Sequence, residues 1–126
     1  MFCRGIRGAV AVEENSATAI LTATVTLLSE IVAANALVPG DVASVIFSVT
    51  PDLDAVYPAR AARTMGWDHV PLLCLQEMAV PGSLPRCIRV LIHWNTGMMA
   101  DAVHHVYLGA ARSLRPDLVE ENQKSE

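Results

Sequence analysis

The sequence predicts an α+β fold: a mixed five-stranded β-sheet packed on one long helix, with short helices beside it. Apolar residues keep helical spacing in one long stretch only, from Ser16 to about Ala34. Around it, alternating or continuous apolar runs of strand length recur five times. The resulting order, βαβαβββ, supplies helix for one face of a sheet and leaves the second face needing a partner. An oligomer is therefore expected. The 126 residues suit a single domain, read here as 1–116, followed by a polar, mobile tail over 117–126.

Met1–Val12 reads as the first strand because two residue sets alternate along it. Phe2, Ile6, Val10 and Val12 point one way, interrupted by Arg4 and Gly8. Cys3, Gly5, Arg7, Ala9 and Ala11 point the other way, so Arg7 stands among small neighbours. Glu13-Glu14-Asn15 is a turn, with Asn15 or Ser16 as N-cap and the acids near the positive helix end. In the helix, Ile20, Leu21, Thr24, Leu27, Leu28, Ile31 and Val32 form one buried stripe. Pro39-Gly40-Asp41 breaks the chain before Val42–Thr50, a nearly continuous apolar strand of the kind covered on both faces.

Thr50-Pro51-Asp52-Leu53-Asp54 is a loop, and Pro58 suits the first position of a short helix to about Met65, with Gly66 as its stop. Val70–Leu75 is the third strand, and Met78–Pro85 is a connection containing Pro and Gly. Arg86–Asn95 alternates cleanly, with Ile88, Val90, Ile92 and Trp94 on one face and Cys87, Arg89, Leu91 and His93 on the other. Val103–Leu108 is the fifth strand, and Gly109–Leu114 is a short helical turn.

Composition excludes several function classes. Hydrophobic residues make up 52% and charged residues 17%, so a packed core forms and disorder of the whole chain is excluded. No uninterrupted apolar run reaches the length of a membrane span, and the first residues lack a signal-peptide apolar region. A net charge of −4 without Lys/Arg blocks argues against nucleic acid. Cys3, Cys74 and Cys87 are an odd number of thiols, read as reduced in a cytoplasmic protein. They lack CxxC spacing, and His104 and His105 diverge if they lie in a strand, so no metal site is expected. Gly5-Ile6-Arg7-Gly8 lacks the spacing and the following helix of a phosphate loop.

What remains is a set of fixed cations. All eight bases of Met1–Pro116 are arginine, whose planar fork matches carboxylate geometry. Arg7 and Arg89 each occupy the less apolar face of a strand, where a guanidinium needs a partner or a water-filled cleft. An ion pair to Glu77 or Asp52 would satisfy either one. Arg60 and Arg63 share a helix face, and an ordinary solvated surface explains them equally well. Tyr107 is either core or a hydroxyl donor. Two or more converging cations would suit a small dicarboxylate better than a polymer.

The residues also resemble a known family. Arg4-Gly5-Ile6-Arg7-Gly8-Ala9, Thr50-Pro51-Asp52-Leu53 with Tyr57-Pro58-Ala59, and Val70-Pro71 with Cys74 and Gln76-Glu77-Met78 are similar to the trimeric monofunctional chorismate mutases of bacteria. So are Cys87-Ile88-Arg89-Val90, His105-Val106-Tyr107-Leu108 and Leu114-Arg115-Pro116-Asp117-Leu118. The blocks run in order from residue 4 to residue 118. The resemblance implies a homotrimeric pseudo-α/β barrel with clefts between subunits, and conversion of chorismate to prephenate without a cofactor. It also implies that Arg7, Cys74, Glu77, Arg89 and Tyr107 come from one subunit, with Leu72 and Leu73 beside Cys74. Tyr57, Ala59, Arg60, Arg63, Leu114 and Arg115 would complete the cleft, the Tyr57–Arg63 segment coming from the neighbour. Of these, Arg89, Glu77, Arg7 and Cys74 would carry catalysis. Tyr57 is often phenylalanine in the family and Arg60 often lysine, and Leu73 replaces a polar residue of some relatives.

Such a rearrangement requires no nucleophile. It requires a flexible dianion held compact and a donor for the charge growing on the ether oxygen. Strand parity places Cys74 and Glu77 on opposite faces, so the strand must end or bulge between them if both line one cleft. Two other classes fit the same arginines: a carboxylate-binding protein without turnover, and a structural subunit whose arginines are all salt-bridged.

Overall fold

The computed structural model describes residues 1–118, so the tail expected over 117–126 lies outside the described residues from 119 on. The elements are β1 (Phe2–Ala11), α1 (Ala17–Asn35), β2 (Val42–Val49), α2 (Ala59–Thr64), β3 (Leu72–Gln76), β4 (Cys87–Thr96) and β5 (Val106–Leu108). Short 3-10 turns occupy Pro39–Asp41, Ala100–Ala102 and Gly109–Leu114. The strand order is β3-β2-β4-β1-β5. Strand β4 runs antiparallel to both β1 and β2, while β1–β5 and β2–β3 are parallel, so the sheet is mixed.

Helix α1 starts where Ser16 adopts an extended backbone and its side chain accepts the Ala19 N–H at 3.0 Å. Asn15 caps nothing; it binds Asp54 and the backbone N–H groups of Asp54 and Ala55. The helix ends at Ala36, left-handed at φ 52, whose N–H returns to the Val32 carbonyl. Ile20, Thr24, Leu27, Leu28 and Ile31 are buried, while Leu21 and Val32 flank the stripe half-buried. The helix is long and apolar enough to cross a bilayer, but this stripe packs on the sheet with Ile6, Phe47, Ile88 and Ile92. Each fully buried aliphatic side chain there contributes about 1.5–3 kcal/mol.

Gly8 is the point of closest approach. A Cβ added to it would stand 2.8 Å from Ile31 Cδ1 and 2.9 Å from Val90 Cγ1. A side chain there would force Ile31, Val90 and Leu27 to repack.

Four expectations shift. Phe2 does not join the core face; it is 45% exposed and stacks under the Arg4 guanidinium at 4.2 Å. The fifth strand is only Val106–Leu108, because Asn35 takes the backbone N–H and C=O of His104 away from any sheet partner. The third strand begins at Leu72 rather than Val70. Strand β2 is covered on one face only: Val45 and Phe47 are buried, but Ser44, Ile46 and Ser48 are half-exposed. A register shift between Val42 and Ser44 returns Val42 to the buried side opposite Trp94.

Candidate active site

The face of the sheet away from α1 is open except where the Gly109–Leu114 turn covers Ala9 and Cys87, and strand register arranges it in rows. Across the sheet, Leu75, Ser48, Arg89, Ala9 and Tyr107 are successive neighbours on β3, β2, β4, β1 and β5. The next row runs Leu73, Ile46, Leu91 and Arg7. Arg89 is thus rooted mid-sheet between two small residues, half-exposed Ser48 and Ala9, the latter buried under Ala111 and Tyr107. Arg7 stands one row away on the adjacent strand.

Glu77 reaches Arg89 from the edge. Strand β3 ends at Gln76, and the Glu77 N–H then bonds the Val49 carbonyl at 2.8 Å. This turns the Glu77 side chain over the open face, where Oε1 accepts the Ser48 hydroxyl at 2.5 Å and lies 3.4 Å from Arg89 Nε. Of the two acids that sequence offered as ion-pair partners, Glu77 is the one that meets Arg89. The pair is not sealed: the Arg89 side chain remains 43% exposed and that of Glu77 30%. The Arg89 Nε is itself buried yet has no hydrogen-bond acceptor among the described residues. Nε is thus held by the Glu77 charge at 3.4 Å rather than by a hydrogen bond, and the exposed part of the guanidinium is what an anion can reach.

Tyr107 closes the row. Burial pushes its hydroxyl above the ordinary range, while Arg115, Arg7 and Arg89 pull it down in that order. Its ring packs on the small cluster of Ala9, Cys87 and Ala111, with Leu114 beside it. Burial also raises the Cys87 thiol, which makes it an inert wall of this cluster. The Arg7 backbone N–H donates to His105 Nδ1 at 2.9 Å, which places an acceptor lone pair on that nitrogen. Consistent with a neutral ring, burial, then Arg7, Arg115 and His104, lower the affinity of His105 for a proton. Among the described residues the Arg7 side chain has no ion pair. Arg115 faces Asp117 instead, with Nε and Nη2 on the two carboxylate oxygens at 3.1 and 3.0 Å.

The other candidates lie elsewhere. Cys74 pairs with Phe47 on the helix-covered side, so it lines a separate cleft with Val49, Tyr57, Pro58 and Leu75. Within one chain Cys74 and Glu77 do not share a face, and the strand end between them only brings Glu77 across. Leu73 is 54% exposed on the open face, whereas Leu72 faces the core side beside Arg63 and Trp67. Tyr57 is 74% exposed, Arg60 and Arg63 are exposed, and Ala59, the first residue of α2, is buried. Helix α2 packs on α1 and on edge strand β3, at the opposite end of the strand order from Tyr107. A single chain therefore divides the candidates into an Arg7–Glu77–Arg89–Tyr107 group and a Tyr57–Arg60–Arg63 group.

Sequence reading missed Ser48 and Ala9 as parts of this site. The Ser44-x-Ile46-x-Ser48 alternation was the available signal for an open face on β2, but it was masked by the apolar residues between.

The model of the family described as chorismate mutase type I matches residues 3–118. The chain belongs to that family. It is 53% identical over 116 residues to the chorismate mutase AroH of Thermus thermophilus, covering 91% of this chain and 95% of that protein. Against the chorismate mutase AroH of Bacillus subtilis (strain 168) it is 47% identical over 119 residues, 94% of each. A solved chorismate mutase from Clostridium thermocellum superposes with a TM-score of 0.85 at 48% identity, covering 86% of this chain and 97% of that one. As a chorismate mutase the protein is an isomerase, and its open face has to be read in terms of a rearrangement.

Proposed function

We propose that this chorismate mutase converts chorismate to prephenate in a cleft built from the open sheet face of one protomer and the Tyr57–Arg63 segment of the next, within a homotrimer. The observation that carries the proposal is Arg89. Its side chain is rooted between Ser48 and Ala9 and is 43% exposed on the open face, with Nε 3.4 Å from Glu77 Oε1. The split of the candidate residues between opposite ends of the strand order supports a site completed by a second copy.

The reaction breaks a C–O bond and forms a C–C bond within one molecule, without proton transfer. In our assignment Arg89 donates to the ether oxygen as charge grows there, and its fork also holds one carboxylate. Arg7 and Tyr107 bind the side-chain carboxylate. Glu77, fixed by Ser48, accepts the ring hydroxyl, assisted by the Cys74 region across the subunit boundary. Arg63 attracts the remaining carboxylate, joined by Arg115 once it leaves Asp117, while Tyr57, Ala59, Arg60, Leu72, Leu73 and Leu114 shape the cleft. A millionfold acceleration corresponds to roughly 8 kcal/mol. One hydrogen bond to a charged group is worth about 1.5–3 kcal/mol. Arg89 alone is therefore insufficient, and holding the dianion in its compact conformer supplies the rest. The three free thiols fit a reducing cytoplasm.

Subunit complementation tests the shared cleft. Arg89→Ala and Arg63→Ala are expected to be nearly inactive as pure proteins. When they are co-assembled, random mixing in a closed symmetric trimer restores both native residues to roughly a quarter of the clefts. Chorismate consumption that stays at the level of the pure variants in verified mixed trimers would place both arginines in one protomer's site and refute the assignment.

A further inference from the structure

We propose that Asp52 is a positioning residue for the rearrangement: its carboxylate locks Arg86 in a left-handed turn at the entry to β4 and so sets where Arg89 presents its guanidinium. The proposal rests on Arg89 acting at the ether oxygen as assigned above. Arg86 has φ 48, a conformation that a side chain with a Cβ disfavours. Both of its flanks are held. On one side, the two Asp52 carboxylate oxygens accept the Arg86 backbone N–H at 2.9 and 3.2 Å. The Thr50 hydroxyl donates to Asp52 Oδ1 at 2.5 Å and accepts the Cys87 N–H at 3.0 Å. On the other side, Arg86 Nε donates to the Val12 carbonyl at 3.1 Å, and the Val12 N–H donates to the Arg86 carbonyl at 2.9 Å.

Strand β4 therefore enters the sheet pinned between the ends of β2 and β1, and Arg89 follows three residues after Arg86. Apart from the 3.4 Å ion pair to Glu77, the Arg89 Nε makes no hydrogen bond among the described residues, so the backbone below it sets where the guanidinium meets Glu77 and the open face. Asp52 is exposed and lines none of the clefts above. Its carboxyl is held below the usual range, chiefly by the Thr50 hydroxyl against the cost of desolvation, so it stays an anion throughout the neutral range. An anion facing a backbone N–H makes the stronger form of that hydrogen bond. None of these groups touches the proposed substrate; they act through Arg89.

The test uses the full-length chain and separates kcat from KM for chorismate. Asp52→Ala is expected to lower kcat on the order of tenfold, as small misplacements of a catalytic group do, with KM little changed. Added to Arg89→Ala, it is expected to cost nothing further, because its effect passes through the group already removed. Arg86→Gly in the Asp52→Ala background is expected to restore most of the lost kcat, since glycine occupies positive φ without the clamp. Parent-like kcat in Asp52→Ala, a loss that multiplies on top of Arg89→Ala, or no recovery with glycine would each overturn the proposal. Parent-like turnover in Arg89→Ala would instead overturn the cleft assignment itself. If Asp52→Ala does not fold, Asp52→Asn carries the test: it leaves one acceptor oxygen where the clamp uses two, so a smaller kcat loss is expected, again removed by Arg86→Gly, and parent-like kcat there also overturns the proposal.

Discussion

The two faces of the sheet are built to opposite rules. On the α1 side, Ile6, Phe47, Ile88 and Ile92 meet Ile20, Leu27, Leu28 and Ile31, and every one of them is fully buried within a single chain. On the other side, Leu73, Leu75 and Leu91 remain 54%, 47% and 37% exposed among Arg7, Arg89 and Ser48. The first face is filled by aliphatic side chains over its centre, with Cys74 at its edge. The second carries the arginines to which we assign the reaction and is incomplete. In the proposed cleft, β1 and β4 therefore present core aliphatics on one side and arginine on the other.

That division can be broken from either side. Leu27→Ala, deep in the closed face, is expected to lower unfolding free energy by about 2–5 kcal/mol in urea titration while leaving kcat per folded molecule unchanged. Arg89→Ala, on the open face, should reverse the pattern. It should lose roughly 3 kcal/mol or more in kcat/KM, as removal of an oxyanion donor does, with a near-parent unfolding curve. Loss of stability without loss of turnover in Arg89→Ala would mean that the guanidinium serves the fold through Glu77 rather than the reaction.

Leu75→Ala probes the exposed leucines. Within one chain its effect on stability should stay within about 0.5 kcal/mol, as for other exposed sites. If copies of the chain cover this face, sedimentation at falling concentration should show the variant dissociating before the parent. The smallest effect is electrostatic. Asp52 has its pKa lowered in the folded chain, so the stability it contributes is present above the ordinary carboxylate pKa and disappears as pH falls through the folded value. Asp52→Asn should accordingly flatten the acid limb of a melting temperature against pH profile while leaving the neutral and alkaline parts parallel to the parent.

Legibility followed the same division. The alternation in Arg86–Asn95 placed Ile88, Val90, Ile92 and Trp94 on the buried side and Arg89 on the other, and the register agrees. The helical stripe and the unfilled second face were equally readable, because both depend only on spacing. The site was readable in part. Arg7 and Arg89 stand out as charges inside apolar strands, with Glu77 and Asp52 as the acids that sequence offers them, and geometry selects Glu77 for Arg89. Ser48 and Ala9 were invisible as site residues, since their contribution is to be small beside Arg89. That depends on which strands are neighbours.

Sequence by itself determined the element types, the two faces of β4 and the presence of arginines inside apolar strands, because these follow from side-chain periods of two and of 3.6 residues. Tertiary structure decided the strand order β3-β2-β4-β1-β5, the turn of Glu77 over the sheet and the left-handed Arg86 that leads into β4. Each of these is fixed by hydrogen bonds between residues far apart in the chain, and no local pattern encodes such a pairing.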